Sequence, residues 1–239
     1  MATKLVDKQG REILAPQPGP QTEFVTSKAD IVIYGGAAFS GKSYLGVLES
    51  TRNVGDPLYT AGLFRRQCTE ITMAGGLWDV AARIYPSVHG EGIKGNLLWK
   101  FPSGARVEMH HLNNDDTAQQ YQGAAFSYLL FDELCHFTKY QFFYLITRNR
   151  PPAGCTLRSY CRATCNPEPG WVADLIQWWW DPNTGYPIKE RSGVIRYMIG
   201  GEGKDIQWVS PDFVDSDGDK PKSITFIAAT MDDNQIDKN

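Results

Sequence analysis

Residues 29–34 are a short β-branched run bounded by polar positions, the pattern of a strand buried on both faces. Similar apolar runs at 58–66, 128–133, 156–164 and 223–229 read as further strands. Residues 96–101 and 105–110 flank the turn Pro102-Ser103-Gly104 and predict a hairpin. Between these runs, the apolar spacing at 44–50, 71–85, 139–148 and 171–180 suits helices. In the run at 128–133, Tyr128-Leu129-Leu130-Phe131 closes on Asp132 and Glu133, as in a buried parallel strand whose C-terminal end carries chemistry. Strands alternating with helices predict an α/β fold with a mostly parallel central sheet.

The flanks are less regular. Residues 1–28 read as an irregular lead-in, because Pro16, Pro18 and Pro20 fix φ and remove donors. Within it, residues 21–25 predict a short turn of helix. Residues 113–122 read as a polar loop. Beyond 181–185 the texture changes, and 194–199 with 206–209 predict a hairpin outside the main sheet, a small C-terminal lid subdomain. The acidic stretch 215–219 has half the pattern of a calcium loop but lacks the glutamate at its twelfth position, and reads as a solvated loop. The expected division is a lead-in at 1–28, a core at 29–180, a lid-like hairpin insertion at 181–222, and a last core strand from 223 to 239. No internal repeat is visible.

Composition narrows the classes. With 239 residues and 42% hydrophobic content, the chain can hold one large α/β domain or a domain plus a small appendage. No apolar run approaches the roughly 18 residues needed to span a bilayer. The N-terminus is polar and has no signal-peptide core, which points to the cytoplasm and to no membrane partner. The five cysteines are an odd number without C-x-x-C spacing, so reduced thiols are expected rather than a zinc site or disulfide framework. A net charge of −3 speaks against gripping nucleic acid through bulk charge; any such contact needs a local basic patch or an assembly.

The candidate chemistry starts at residues 36–43, Gly36-Ala37-Ala38-Phe39-Ser40-Gly41-Lys42-Ser43, a full match to G-x-x-x-x-G-K-[ST] between a strand and a helix that begins near Tyr44. Its glycines let backbone N–H groups converge on phosphate at the positive end of the helix dipole. Lys42 would reach the β- and γ-phosphates of ATP, and the Ser43 hydroxyl would sit on Mg²⁺. Hydrolysis also needs a carboxylate in the magnesium shell and a group that polarises the attacking water. Asp132 and Glu133 offer these at adjacent positions. Asn166 emerges beside Glu133 in a parallel sheet and either senses the γ-phosphate or serves turn chemistry with Pro167. Gln21, ahead of the loop, could read an adenine edge through two hydrogen bonds. Arg65 and Arg66 could pair with phosphate, with the sheet's own acids or with DNA, or be surface charge.

Taken in order, these segments resemble the ATPase domain of the large terminase subunit, the DNA-packaging motor of tailed bacteriophages. The resemblance rests on residues 31–36 running into the phosphate loop, Leu63-Phe64-Arg65-Arg66, Tyr121-Gln122-Gly123, Leu129 to Leu134, Ala163-Thr164-Cys165-Asn166-Pro167 and the stretch 229–234. It covers roughly 17–234. The resemblance implies a three-layer P-loop NTPase of the ASCE, RecA-like kind. It further implies a ring, usually a pentamer, that docks on the portal protein in the host cytoplasm, works with the small terminase subunit and drives double-stranded DNA into a procapsid. It assigns Lys42 and Ser43 to phosphate and magnesium, Asp132 to the Walker B position, Glu133 to catalysis and Asn166 to coupling. Relatives often carry an arginine finger where this chain has Gln122, which leaves Arg65, Arg66, Arg106, Arg148 and Arg150 as candidates. Relatives also carry a C-terminal nuclease domain that lies beyond this sequence, so no DNA cleavage is expected of this chain.

Two other readings remain. Another ASCE nucleic-acid motor, such as a helicase, shares the motifs. A nucleotide-switched binding module would need no water-polarising Glu133. A GTPase is disfavoured, since no N-K-x-D element is present.

Overall fold

The computed structural model describes residues 14–36, 41–166, 168–201, 203–230 and 233. The elements run α1 (Pro20–Thr26), β1 (Ile31–Gly36), α2 (Lys42–Glu49), β2 (Thr60–Arg65), α3 (Cys68–Thr72), α4 (Leu77–Ile84), β3 (Glu91–Ile93), β4 (Leu98–Lys100), β5 (Arg106–His111) and α5 (Asp115–Gln119). They continue with β6 (Tyr128–Phe131), α6 (Lys139–Ile146), β7 (Tyr160–Cys165), α7 (Trp171–Ile176), β8 (Trp180–Asp181), β9 (Tyr186–Pro187), β10 (Arg196–Gly201), β11 (Lys204–Val209) and β12 (Lys222–Ala229).

Ten of the strands form one sheet in the order β11-β10-β12-β1-β7-β6-β2-β5-β4-β3. Its middle, from β12 to β5, is wholly parallel, and both flanks are antiparallel. The alternation of side chains explains the three layers. Tyr128 and Leu130 of β6 face α2, α3 and α4, in a cluster with Val47, Ile71, Leu77 and Ile84. Leu129 and Phe131 face α5, α6 and α7, in a cluster with Ala118, Phe142, Leu145, Val172 and Leu175. A third cluster seats Phe24 of α1 against Val32, Tyr34 and Leu45. β1 and β6 are not neighbours, because β7 lies between them. The strand carrying the phosphate loop is thus separated from the strand carrying Asp132 by the strand that leads to Asn166.

Several expectations are corrected. The hairpin at 194–209 does not stand outside the main sheet. Its first strand, β10, pairs antiparallel with β12 and extends the sheet, with Met198 buried in the core cluster. The polar, glycine-rich texture reflects an edge position, where β10 covers backbone groups of β12 that would otherwise lack partners. The helix expected at 71–85 is two helices broken at Gly75, whose φ is 78°, with Asp79 accepting from the Gly75 N–H at 3.0 Å. The helix expected at 171–180 ends at Ile176 and gives way to a 3₁₀ turn and the short β8–β9 pair. The polar loop at 113–122 contains α5, capped by the Asn114 side chain, which accepts from the Thr117 N–H at 3.0 Å. In the acidic stretch, Asp215 Oδ1 accepts from the N–H groups of Asp217 and Asp219 at 2.9 and 2.8 Å, making a local turn. The cysteines are all free; three are buried, Cys135 is half-buried and Cys68 is exposed. Among the described residues no helix is long and apolar enough to cross a membrane.

Candidate active site

The site forms where the C-terminal ends of β1, β7, β6 and β2 meet the N-terminus of α2. β1 ends in Gly35-Gly36, and the backbone must pass close to β12 there, since a Cβ on Gly36 would lie 2.0 Å from the Ala229 carbonyl oxygen. Gly41 takes a left-handed φ of 72° and hands the chain directly into α2 at Lys42, two residues earlier than the pattern suggested. Ala37, Ala38, Phe39 and Ser40, expected to cradle phosphate, lie outside the described residues, as does Pro167.

Lys42 is buried, and its Nζ donates to the Gly36 carbonyl at 3.1 Å across the mouth of the loop. Burial lowers its pKa below the ordinary lysine value, against the pull of Glu133, Cys165 and Asp132. Ser43 Oγ donates to the Asp132 carboxylate, 2.9 Å from Oδ2 and 3.1 Å from Oδ1. β6 stops at Phe131, so both acids stand just past the strand end rather than within it. Asp132 is fully buried. Strict alternation would send Glu133 to the Phe131 face, but its left-handed φ of 63° breaks the pattern, and its carboxylate stays 3.8 Å from Arg65.

Arg65 binds both acids, with its guanidinium 2.6 Å from Asp132 Oδ2. It is 14% exposed, which places it inside its own chain's site and not on a surface turned outward. Arg66 donates to the Leu112 carbonyl at 2.8 Å and to Gln141 Oε1 at 2.9 Å, so it braces α6. The other arginine candidates lie elsewhere. Arg106 starts β5, in register with Thr60 at the far end of the sheet. Arg148 stacks over Tyr144, 4.9 Å from the ring centroid, and Arg150 is exposed.

Asn166 follows β7, beside the turn after β6. Its carbonyl accepts from the Cys135 thiol at 3.1 Å, while its buried Oδ1 meets no hydrogen-bond donor among the described residues. Gln21 on α1 is buried, accepts from the Gln17 N–H at 3.0 Å, and holds its Nε2 3.1 Å from where a Cβ on Gly41 would stand. It therefore abuts the phosphate loop. Tyr44 is partly buried and packs against the core cluster beneath α2 and α4.

Two neighbours of the acids were missed by sequence reasoning. Thr164 donates to Asp132 Oδ1 at 2.7 Å and accepts the Glu133 N–H at 2.9 Å, so one hydroxyl fixes both. The available signal was alternation along β7, which puts Arg162, Thr164 and Asn166 on the same face as Tyr160. His136 Nε2 lies 3.6 Å from Glu133 Oε2, on the 3₁₀ turn after the acids, and had no signal in spacing.

The donor set suits a small hard cation. A serine hydroxyl and a carboxylate are already in contact, all-oxygen, beside a helix N-terminus and a lysine. Among the described residues no group of three or more His, Cys, Asp or Glu gathers as a separate metal site.

A family model described as terminase large subunit, T4likevirus-type, N-terminal, matches residues 33–239. Among solved structures, the chain is similar to the large terminase of a thermophilic bacteriophage in complex with ADP, with a TM-score of 0.57 and 13% identity over 92% of this chain and 46% of that one. It is also similar to the Thermus phage P74-26 large terminase ATPase domain, as an arginine-to-alanine mutant (TM-score 0.53, 11% identity) and in another structure of that domain (TM-score 0.52, 11% identity), covering 88% of this chain and 80% of each. At such identities the likeness speaks to the fold. The chain thus spans just under half the length of the ADP-bound terminase. No curated protein matches the sequence.

Proposed function

We propose that this chain, which belongs to the terminase large-subunit family of T4-like type, N-terminal part, binds and hydrolyses ATP to drive double-stranded viral DNA into a procapsid. The observation that carries this reading is the contact of Ser43 with Asp132 at 2.9 Å, which joins the phosphate-loop helix to the strand end bearing Glu133. The ADP bound to the terminase of the thermophilic phage supports the nucleotide class.

In this reading the N-terminus of α2 and the Lys42 ammonium bind the phosphates. Ser43 and Asp132 would hold Mg²⁺, which when bound supplies charge neutralisation at the β- and γ-phosphates. Glu133 is the base that orients the attacking water, held by the bond from its N–H to the Thr164 hydroxyl and balanced by Arg65. Arg65 acts on its own chain's acids, and Asn166 offers its amide to the γ-phosphate end of the site. Gln21 reads the adenine from beside Gly41. The partners are duplex DNA, portal protein and small terminase subunit, in a homo-oligomeric ring in the host cytoplasm.

ATP turnover measured against protein concentration, with and without linear duplex DNA, tests this. Turnover should depend on Mg²⁺, rise with DNA and rise more than linearly with protein concentration. Absence of Mg²⁺-dependent hydrolysis at every concentration would overturn it.

A further inference from the structure

The helix behind the phosphate loop is gripped by tyrosines at the end away from the site. Tyr128 Oη donates to the Gly46 carbonyl at 2.9 Å, and Tyr59 Oη to the Ser50 carbonyl at 2.9 Å. The Tyr160 hydroxyl donates to Glu49 Oε1 at 3.0 Å, and Tyr85 shares a 2.6 Å bond with Ser50 Oγ. A buried tyrosine hydroxyl ordinarily finds some partner, so one such bond would mean little. The pattern across the sheet means more. Tyr59 immediately precedes β2, which ends in Arg65; Tyr128 opens β6, which leads to Asp132; Tyr160 opens β7, which leads to Asn166. Each of these three strands therefore delivers a site residue at one end and reaches α2 with a tyrosine at the other.

The β6 contacts fix the fit along the helix. Gly46 presses on Leu130, where a Cβ would come within 2.6 Å of Leu130 Cδ1. Tyr128, Leu130 and Asp132 lie on one face of the strand and touch Gly46 O, Gly46 and Ser43 in turn. The Gly46 carbonyl accepts the Ser50 N–H at a long 3.3 Å, and the Ser50 carbonyl lies past the helix end where a partner is needed.

We propose that Tyr128 and Tyr59 are positioning residues. Tyr128 ties α2 to β6 and Tyr59 ties it to the start of β2, which pairs with β6, and together they set the Ser43–Asp132 spacing on which magnesium use depends. This rests on the nucleotide-site reading above. Lys42 and the N-terminus of α2 travel together, so a small shift of the helix keeps these two phosphate-binding groups in register with each other. Asp132 directly follows β6 and stays with the sheet, so the same shift misaligns the metal pair.

The test uses the whole chain carrying Tyr128→Phe or Tyr59→Phe, which keep the ring and its packing. ATP affinity is measured in chelator and across a magnesium titration, with thermal melts alongside. In Tyr128→Phe the Mg²⁺ concentration for half-maximal tightening should rise about fivefold, the weight of one neutral hydrogen bond. Tyr59→Phe should show a smaller rise. Metal-free affinity should stay at the wild-type value in both. An unchanged magnesium dependence would overturn the proposal while leaving the nucleotide site standing. So would an equal loss of metal-free and metal-bound affinity, because that marks general loosening. Wild-type protein that binds ATP without regard to Mg²⁺ would instead bring down the site reading itself, and the proposal with it.

Discussion

At their C-terminal ends β2, β6 and β7 lead to Arg65, Asp132 and Asn166, while at their N-terminal ends the same strands meet Tyr59, Tyr128 and Tyr160. The first set is mostly charged and stands at or just past the strand ends, beside Glu133 with its left-handed φ of 63°. The second set is neutral and sits on or directly beside regular strand. Buried charges are costly unless paired, so the upper end is held by opposition: Arg65 against both acids, with Thr164 bridging them. The lower end is held by tyrosine hydroxyls, those of Tyr59 and Tyr128 on backbone carbonyls and that of Tyr160 on the Glu49 carboxylate. Chemistry can change the charge at one end while the other keeps the helix in place.

Substitutions at the two ends should therefore fail differently. The largest effect belongs to Glu133→Gln, which should cut ATP turnover by on the order of 100-fold or more while binding persists. Rapid-quench turnover beside equilibrium nucleotide binding reads both, and unchanged turnover would remove Glu133 from the mechanism. Lys42→Ala should instead weaken nucleotide affinity itself, by ~10–100-fold, as loss of a charged hydrogen bond implies. Calorimetric titration with ATP distinguishes this from a turnover defect. Arg65→Ala leaves Asp132 buried without its cation and should destabilise the fold by roughly 3 kcal/mol, seen as an earlier urea midpoint. A midpoint equal to wild type would show that Ser43 and Thr164 suffice for Asp132.

The smallest effect lies at the lower end, at Asp30. Burial raises its pKa, but hydrogen bonds from Ser223 and Arg158 and the charge of Arg158 bring the net value below the ordinary aspartate one. Because the folded pKa lies below the unfolded one, Asp30 stabilises the fold above the unfolded value near pH ~4. That contribution disappears as pH falls through the folded value. Asp30→Asn should lose about 1 kcal/mol at neutral pH and show a flatter stability profile in the acid range. Parallel profiles for variant and wild type would mean that Asp30 contributes no such pH dependence.

Much of the upper end was legible in the sequence because each part sits on a strand end with its own punctuation. The β-branched run into Gly35-Gly36 and the apolar run into Asp132-Glu133 placed two of the partners, and their register follows once the sheet is parallel. Thr164 was harder to see, because its role depends on a face shared with Asp132, which becomes visible only when β6 and β7 are paired. His136 depends on the turn that the left-handed Glu133 starts. The tyrosine row was hidden for another reason: Tyr59, Tyr128 and Tyr160 look like ordinary core aromatics until α2 is laid across them. The hairpin at β10–β11 was misplaced because its glycines and polar residues match a solvent-exposed edge as well as a separate lid.

The central claim is that Ser43 and Asp132 act together on one magnesium ion, and a double-mutant cycle tests it most directly. Mg²⁺-dependent ATP affinity would be measured for wild type, Ser43→Ala, Asp132→Asn and the double variant. The double variant should bind magnesium-ATP no worse than the weaker single one, because either change breaks the shared site. Strictly additive losses would show two residues acting apart, and would contradict the account.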